Sequence, residues 1–406
     1  MKTTKIKFKR TELGMIPEDW EVKKLGDAVT FQRGYDLPIE KFKEGKYPVI
    51  KSNGLAGYHS EFKAKSPGVL LGRSGKIGEP MFIDEDYWPH NTTLFSKEFH
   101  QTNPKFIYYL LKTLNLGNYN AGSAVPTLNR NHIHPIPIAV PPLCEQSSIA
   151  KSLSDLDSKI ELNQQMNKAL EAVGQAIFKH WFVEFEFPNE EGKPYKSSGG
   201  EMVYNKELGK SLPVGWRQGS LGEVADNPRR GIQAGAIVQG TAYIGLEHMP
   251  RRSIALSDWG ASEKVISNKF RFYDGEILFG KLRPYFHKVG VAPVDGVCST
   301  DILVIVPKSP EWHSFVLFHV SSEEFVNYTD ATSTGTRMPR SNWEDMSRYE
   351  LVIPPVGVVN AFNEKIAPLV QKIRANILQS RILAEIRNPL LPELMSGKIR
   401  VPVEAR

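Results

Sequence analysis

Two short stretches gather the side chains of this 406-residue sequence best suited to act on an acidic partner. The first, "GRSGKIG", carries Arg73, Ser74 and Lys76 among three glycines. The second, "GKLRPYFHK", carries Lys281, Arg283, Tyr285 and Lys288. Glycine lacks a Cβ and lets the backbone approach a surface closely. Arg and Lys presented there suit phosphate contact, and Arg can also address guanine through two parallel hydrogen bonds in the major groove. Neighbouring aromatics add cation–π contact. "NPRRG" (Arg229, Arg230), "MPRRS" (Arg251, Arg252) and "TRMPR" (Arg337, Arg340) extend the basic character of the second stretch. Any one such loop reads equally as a solvated turn; recurrence at corresponding places of a repeated sequence points to nucleic acid.

Catalytic signatures are absent from the sequence. "GRSGKIG" has the wrong spacing for the phosphate loop G-x-x-x-x-G-K-S/T. There is no H-E-x-x-H, no paired-cysteine metal site and no G-x-S-x-G elbow. The Pro-Pro pairs follow Val140 and Ile353, whereas a base aminomethyltransferase needs Asn or Asp there and an aromatic after. The ten histidines are scattered; His132 and His134 read as a strand edge. The expectation is a chain with no catalytic residues and no bound metal.

The elements that must position the basic loops form two copies of one plan. Pro17 and Trp20 are followed by Leu25-Gly26, and Pro213 and Trp216 by Leu221-Gly222 at the same interval. Each frame leads into β-branched and aromatic stretches punctuated by Gly and Pro, the mark of many short strands. Strand patterns ("NTTLFSK", "STDILVIVPK") and helix patterns ("KFIYYLLKTL", "SFVLFHVSSEEF") recur in order. Gly122 and Gly335, Pro126 and Pro339, and the closing Pro-Pro pairs keep one constant offset.

After each Pro-Pro the texture becomes helical. Ile149, Leu153, Leu156, Ile160, Leu170, Val173 and Ile177 recur at steps of three and four, with Asn163 and Asn167 in the same seam. A second run holds Val359, Phe362, Ile366, Leu369, Ile373, Asn376, Ser380 and Leu383; Pro368 predicts a kink or restart. Two seams of similar length predict an antiparallel coiled coil, its polar residues fixing register. The predicted fold is α+β: two similar mixed globules, separated by two long helices, with pseudo-twofold character. "NEEGKPYKSSGGE" reads as a linker.

The net charge of +6 lies almost wholly before residue 144 and permits an acidic polymer as partner. Two cysteines, Cys144 and Cys298, exclude a cysteine-rich zinc module and argue against a disulfide framework. No signal-peptide pattern or membrane-spanning apolar run occurs in the sequence, so a cytoplasmic location without a membrane partner is expected.

The ordered set "YPVIKSNGLAGYH", "GRSGKIG", "NTTLFSK", "GSAVPTL…IAVPPLCEQSSIA", "IFKHWFVEFEFP", "LPVGWRQGSLGEV", "YIGLEHMP", "GTRMPR…LVIPP" and "RNPLLPELMSGKI" resembles the specificity subunit of Type I restriction-modification systems. The resemblance covers nearly the whole chain. It implies target-recognition domains at 1–143 and 208–355, a central helical spacer at 144–187, a linker at 188–207 and a distal helical spacer at 356–406. It implies that Lys51, Asn53, Tyr58, Asn91 and Thr336 join the basic loops on double-stranded DNA. Phe178, Trp181, Phe182, Leu391 and Leu394 would bind partners, or else close the subunit's own core. The implied partners are two modification subunits, forming a DNA adenine methyltransferase, and restriction subunits that translocate and cleave. S-adenosylmethionine, ATP and Mg would sit on those partners, with no cofactor in this chain. Competing readings are a stand-alone sequence-specific DNA-binding regulator, a free-standing methyltransferase, and the specificity component of a related restriction system.

Overall fold

Each of two units of the chain contains a four-stranded antiparallel sheet, and the two sheets share one strand order. In one the order is Val29–Arg33, Thr93–Phe99, Gly68–Gly72, Pro80–Ile83; in the other it is Ala225–Asp226, Ile302–Pro307, Ile277–Gly280, Val289–Val291. The computed structural model describes residues 7–121, 126–335 and 337–402. The fold is α+β, and the chain divides into two units, Met1–Lys159 with Leu383–Arg406, and Ile160–Ile382. The division falls inside both long helices and not at the sequence-drawn edges.

The repeated Pro-x-x-Trp…Leu-Gly segment frames each unit. Strand Glu21–Lys24 pairs with Pro137–Val140, and strand Arg217–Ser220 pairs with Glu350–Ile353. The next amide closes the frame: Leu25 N–H donates to the Ile136 carbonyl (2.8 Å), and Leu221 N–H to that of Tyr349 (2.9 Å). Both leucines are fully buried. A Cβ on Gly26 would lie 3.0 Å from the His134 Cβ, and one on Gly222 3.1 Å from that of Ser347, so the same close approach selects glycine twice. Trp20 is completely buried and Trp216 nearly so, the latter packed on Phe182, Phe185 and Phe187. Burying an indole is worth on the order of 4–6 kcal/mol.

Outside the frame the units diverge. The first adds a three-stranded sheet, Gly54–His59, Tyr47–Lys51 and Trp88–Pro89; the second adds five short strands between Gly231 and Cys298. Each contains one parallel pair, Tyr47–Lys51 with Trp88–Pro89 and Ala242–Ile244 with Gly296–Cys298.

Two helices, Leu143–Phe178 and Val356–Met395, supply the long seams. Within the first unit Arg387 reaches Asp157 and Arg400 reaches Glu145; within the second Asn163 meets Gln379 and Phe178 packs on Phe362 (6.1 Å). In each unit the two segments therefore run antiparallel. The predicted asparagines form a buried polar layer: Asn163 Nδ2 donates to Gln379 Oε1 (2.9 Å) and Ser380 Oγ (3.2 Å), and Asn376 Nδ2 to Asn167 Oδ1 (2.9 Å). Val173 was expected in the seam but is exposed; Glu171, Gly174 and Phe178 take the buried stripe there. Pro368 starts no new helix, because it sits on the exposed face, where water can satisfy the carbonyl it leaves unpaired, while Ile366, Val370 and Ile373 bury opposite.

The segment expected as a linker is folded instead. Tyr195 stacks on Phe187 (4.6 Å), its amide donates to the Phe187 carbonyl (2.8 Å), and Met202–Asn205 pairs with Lys210–Pro213. Ser197 N–H adds a bond to Glu186 Oε2 (3.0 Å).

Candidate nucleic-acid interface

The two basic loops leave equivalent strands and are held by equivalent main-chain hydrogen bonds. Arg73 follows strand Gly68–Gly72; its N–H donates to the Thr92 carbonyl (2.8 Å), and its own carbonyl accepts from Leu128 N–H (2.8 Å). Lys281 follows strand Ile277–Gly280; its N–H donates to the Asp301 carbonyl (2.9 Å), and its carbonyl accepts from Ser341 N–H (3.0 Å). Leu128 and Ser341 each stand two residues beyond the offset-matched prolines Pro126 and Pro339. The same frame thus presents a basic side chain in both units, and among the described residues neither Arg73 nor Lys281 makes an ion pair.

In the first unit the loop gathers neighbours from distant sequence. Ser52 N–H donates to Thr92 Oγ1 (3.2 Å), bringing the Lys51–Gly54 hairpin turn, with exposed Asn53, beside the Gly72–Gly78 loop. Ser74 N–H also points at the Thr92 carbonyl (3.4 Å), and Lys76 is exposed in a loose pair with Glu79 (3.6 Å). Tyr58 is exposed on the far strand of the hairpin. Arg73 lines an open cleft of about 690 Å³ with Arg33, Arg130, Gln32, Tyr35 and Asn129. Asp36 also lines it, and its carboxylate accepts from Asn91. Asn91 is therefore engaged within the protein.

Sequence reasoning missed Arg33 and Arg130, which carry no local motif. Arg33 ends strand Val29–Arg33 opposite Leu94; Arg130 opens a short helix that Asn129 caps by accepting from Asn131 N–H (3.0 Å). A signal was present in Asn129, whose offset partner Asn342 caps the equivalent helix by accepting from Asp345 N–H (2.9 Å). His134, expected at a strand edge, caps the end of the first helix, and its Nε2 accepts from Phe31 N–H (3.0 Å). Burial pushes its imidazole below the usual range.

The second unit brings Lys281, Arg283, Arg337 and Arg340 onto two interlaced loops. Arg283 N–H donates to the Pro339 carbonyl (2.8 Å), and Leu282 bridges to Arg340. Arg340 Nε donates to Asp301 (3.1 Å), while Arg337 and Tyr285 are exposed. Thr336 lies outside the described residues.

Other expected contacts are already occupied. Arg230 forms a two-fold bond to Glu276 (both 2.8 Å), which raises its pKa, and stacks over Tyr273 (4.8 Å). Lys288 donates to the Leu246 carbonyl, and burial lowers its pKa. Arg252 pairs with Glu323. These three hold their own fold, since a cation matched to a carboxylate or carbonyl gains little from a phosphate. Arg251 lies over the Phe286 ring (4.0 Å) and Arg229 over Phe270 (5.8 Å), and both remain exposed.

Of the two readings left open for Phe178, Trp181, Phe182, Leu391 and Leu394, the structure favours closure of the subunit's own cores. Phe178, Trp181 and Phe182 are buried in the second unit's aromatic core with Phe315 and Phe362. Leu394 is buried in the first unit, and Leu391 packs half-buried against the same core. In the second unit the apolar stripe beyond the coiled-coil seam is covered by helix His313–Val320 and by Phe362 of the second long helix, so Phe178, Trp181 and Phe182 close the subunit's own core, as Leu394 does in the first unit.

Among the described residues no group of three or more His, Cys, Asp or Glu side chains is placed to hold a metal ion, and no helix is long and apolar enough to cross a membrane. Residues 17–172 match the family described as the Type I restriction modification DNA specificity domain. The chain is 28% identical to the MjaIX specificity subunit of Methanocaldococcus jannaschii, covering 97% of this chain and 96% of that one. It is 24% identical to the EcoDI specificity subunit of Escherichia coli, covering 84% and 79%. Its fold is similar to the crystal structure of the S subunit of a Type I system from M. genitalium (TM-score 0.62, 15% identity, 93% of this chain and 96% of that chain).

Proposed function

Because the chain belongs to the specificity-subunit family of Type I restriction-modification systems, we propose that it reads DNA sequence for such a complex, one half-site per unit of a bipartite, asymmetric target. The observation that carries this reading is the duplicated frame around Arg73 and Lys281. Two copies of one scaffold each present a cation that makes no ion pair among the described residues, while the surrounding sheets differ. That is what two different half-sites require of one chain.

In this reading the chain is the non-catalytic component. It assembles with modification subunits that methylate adenine and restriction subunits that translocate and cleave, in the cytoplasm. S-adenosylmethionine, ATP and Mg belong to those partners. Of the residues the sequence marks, those left available for DNA are Lys51, Asn53, Tyr58, Arg73, Ser74 and Lys76 in the first unit, and Arg229, Arg251, Lys281, Arg283, Tyr285 and Arg337 in the second, Arg340 being paired with Asp301.

Co-expression with the modification subunit and mapping of methylated adenines across the host genome tests the function. A two-part motif with a fixed unread gap is expected. A stable complex that methylates nothing would remove the reading. Exchange of residues 1–143 for those of another family member should alter one half of the motif only.

A further inference from the structure

The cleft of the first unit holds three guanidinium groups, and the duplicated frame separates their tasks. Among the described residues Arg33, Arg73 and Arg130 make no ion pair, and the carboxylate lining the cleft, Asp36, is taken by Asn91. A guanidinium fork fits two oxygens of a phosphate or the O6/N7 edge of guanine equally well. Position 73 is occupied by Arg in the first unit and by Lys at its equivalent, 281, in the second, inside the same hydrogen bonds. That exchange keeps a positive charge and discards the fork. What the two units share at this position is positive charge held by one main-chain frame, which is what a phosphate contact common to both halves requires.

Position 130 behaves oppositely. Asn129 and Asn342 cap equivalent helices, so the next residues, Arg130 and Trp343, correspond. One unit puts a cation in its cleft; the other puts a half-buried indole against its own core. A residue matched in place and unmatched in chemistry serves what differs between the units, namely the sequence each one reads.

We propose that Arg130, with Arg33 in the same cleft, is the guanine-reading residue of the first half-site, and that Arg73 and Lys281 are phosphate anchors common to both halves. The proposal rests on the DNA-reading function above and specifies what that site recognises.

The test compares methylation motifs for the chain with its modification subunit, unaltered and carrying Arg130→Gln, Arg130→Lys, Arg33→Gln, Arg73→Lys or Arg73→Gln. The unaltered motif should contain guanine in one half-site, and Arg130→Gln should lower the preference for it by roughly five- to a hundredfold with the other half unchanged. Arg130→Lys keeps the charge and should relax the same position. Arg33→Gln should weaken discrimination in the same half. Arg73→Lys should preserve the motif. Arg73→Gln should weaken all sites alike and reduce the slope of log affinity against log salt by about one unit. A folded Arg130→Gln complex with lower methylation at every site and an unchanged motif would overturn the assignment, as would an altered motif from Arg73→Gln. An unaltered complex that gives no bipartite motif defeats the functional reading itself. Thermal melts identify a variant that has lost its fold, and Arg130→Lys then decides the question.

Discussion

Removing Arg400 should loosen the first unit, which is assembled from both ends of the chain. Glu145 is 1% exposed, and its Oε2 accepts from Trp20 Nε1 (3.0 Å) and Arg400 Nη2 (2.7 Å). Arg400 also clasps Asp19 through both oxygens (3.0 and 2.8 Å). Breaking a buried pair by deleting one partner costs about 3–5 kcal/mol. Here the indole N–H remains and Arg400 is 28% exposed, so the cost falls to about 2–3 kcal/mol. The Asp19 contact adds little, because that side chain is half-exposed and screened. At roughly 2–4 °C per kcal/mol for a unit of this size, Arg400→Ala should lower its melting temperature by about 4–12 °C in calorimetry of the full chain. Adding Glu145→Gln should restore at least half of the loss, because a neutral amide oxygen still accepts from Trp20 without burying charge. The bond from Arg400 holds the Asp19 carboxyl below its usual range. The Asp19 share is accordingly present above about pH 4 and disappears as pH falls through the lower folded value. An unchanged melt for Arg400→Ala, or a further loss on adding Glu145→Gln, would refute the account.

Gly174→Ala should destabilise the second unit: the helix gains about 1 kcal/mol from alanine, but the new Cβ would lie 2.4 Å from Phe318 Cζ, and overpacking of this kind costs about 1–3 kcal/mol. Urea denaturation reads the balance. At pH 8 a thiol reagent should titrate exposed Cys144 promptly and Cys298 only after unfolding, because burial pushes the Cys298 thiol up to about 12. Burial also holds the His287 imidazole below its usual value. The unfolded chain then binds the extra proton, and the His287 contribution to stability is lost as pH drops below about 6.5. Denaturation midpoints at pH 7 and pH 5 should differ less for His287→Asn than for the unaltered chain.

Much of this organisation was legible in the sequence because it rests on local rules. The twin Pro-x-x-Trp…Leu-Gly segments reported a main-chain frame, and seam spacing reported the helices together with the polar layer at Asn163 and Asn167. What escaped depended on tertiary context. The period of a helix shows that Phe178 and Phe182 share a face, but not whether a partner or the chain's own helices cover it. Composition made residues 189–201 look like a linker, although Tyr195 stacks on Phe187 and Ser197 bonds to Glu186. Arg33 and Arg130 share one cleft across some hundred residues of sequence, brought together by strand pairing rather than by any motif.

The frame around Arg73 and Lys281 uses main-chain donors and acceptors only. A side chain can change there without removing any hydrogen bond that closes the frame, and the caps at Asn129 and Asn342 likewise leave their neighbours free. Recognition is thereby uncoupled from folding stability. A library randomised at 73, 130, 281 and 343 should hold a high proportion of folded members at the first three positions and a smaller one at the half-buried Trp343. New target sequences then lie a few substitutions away, with the scaffold unaltered.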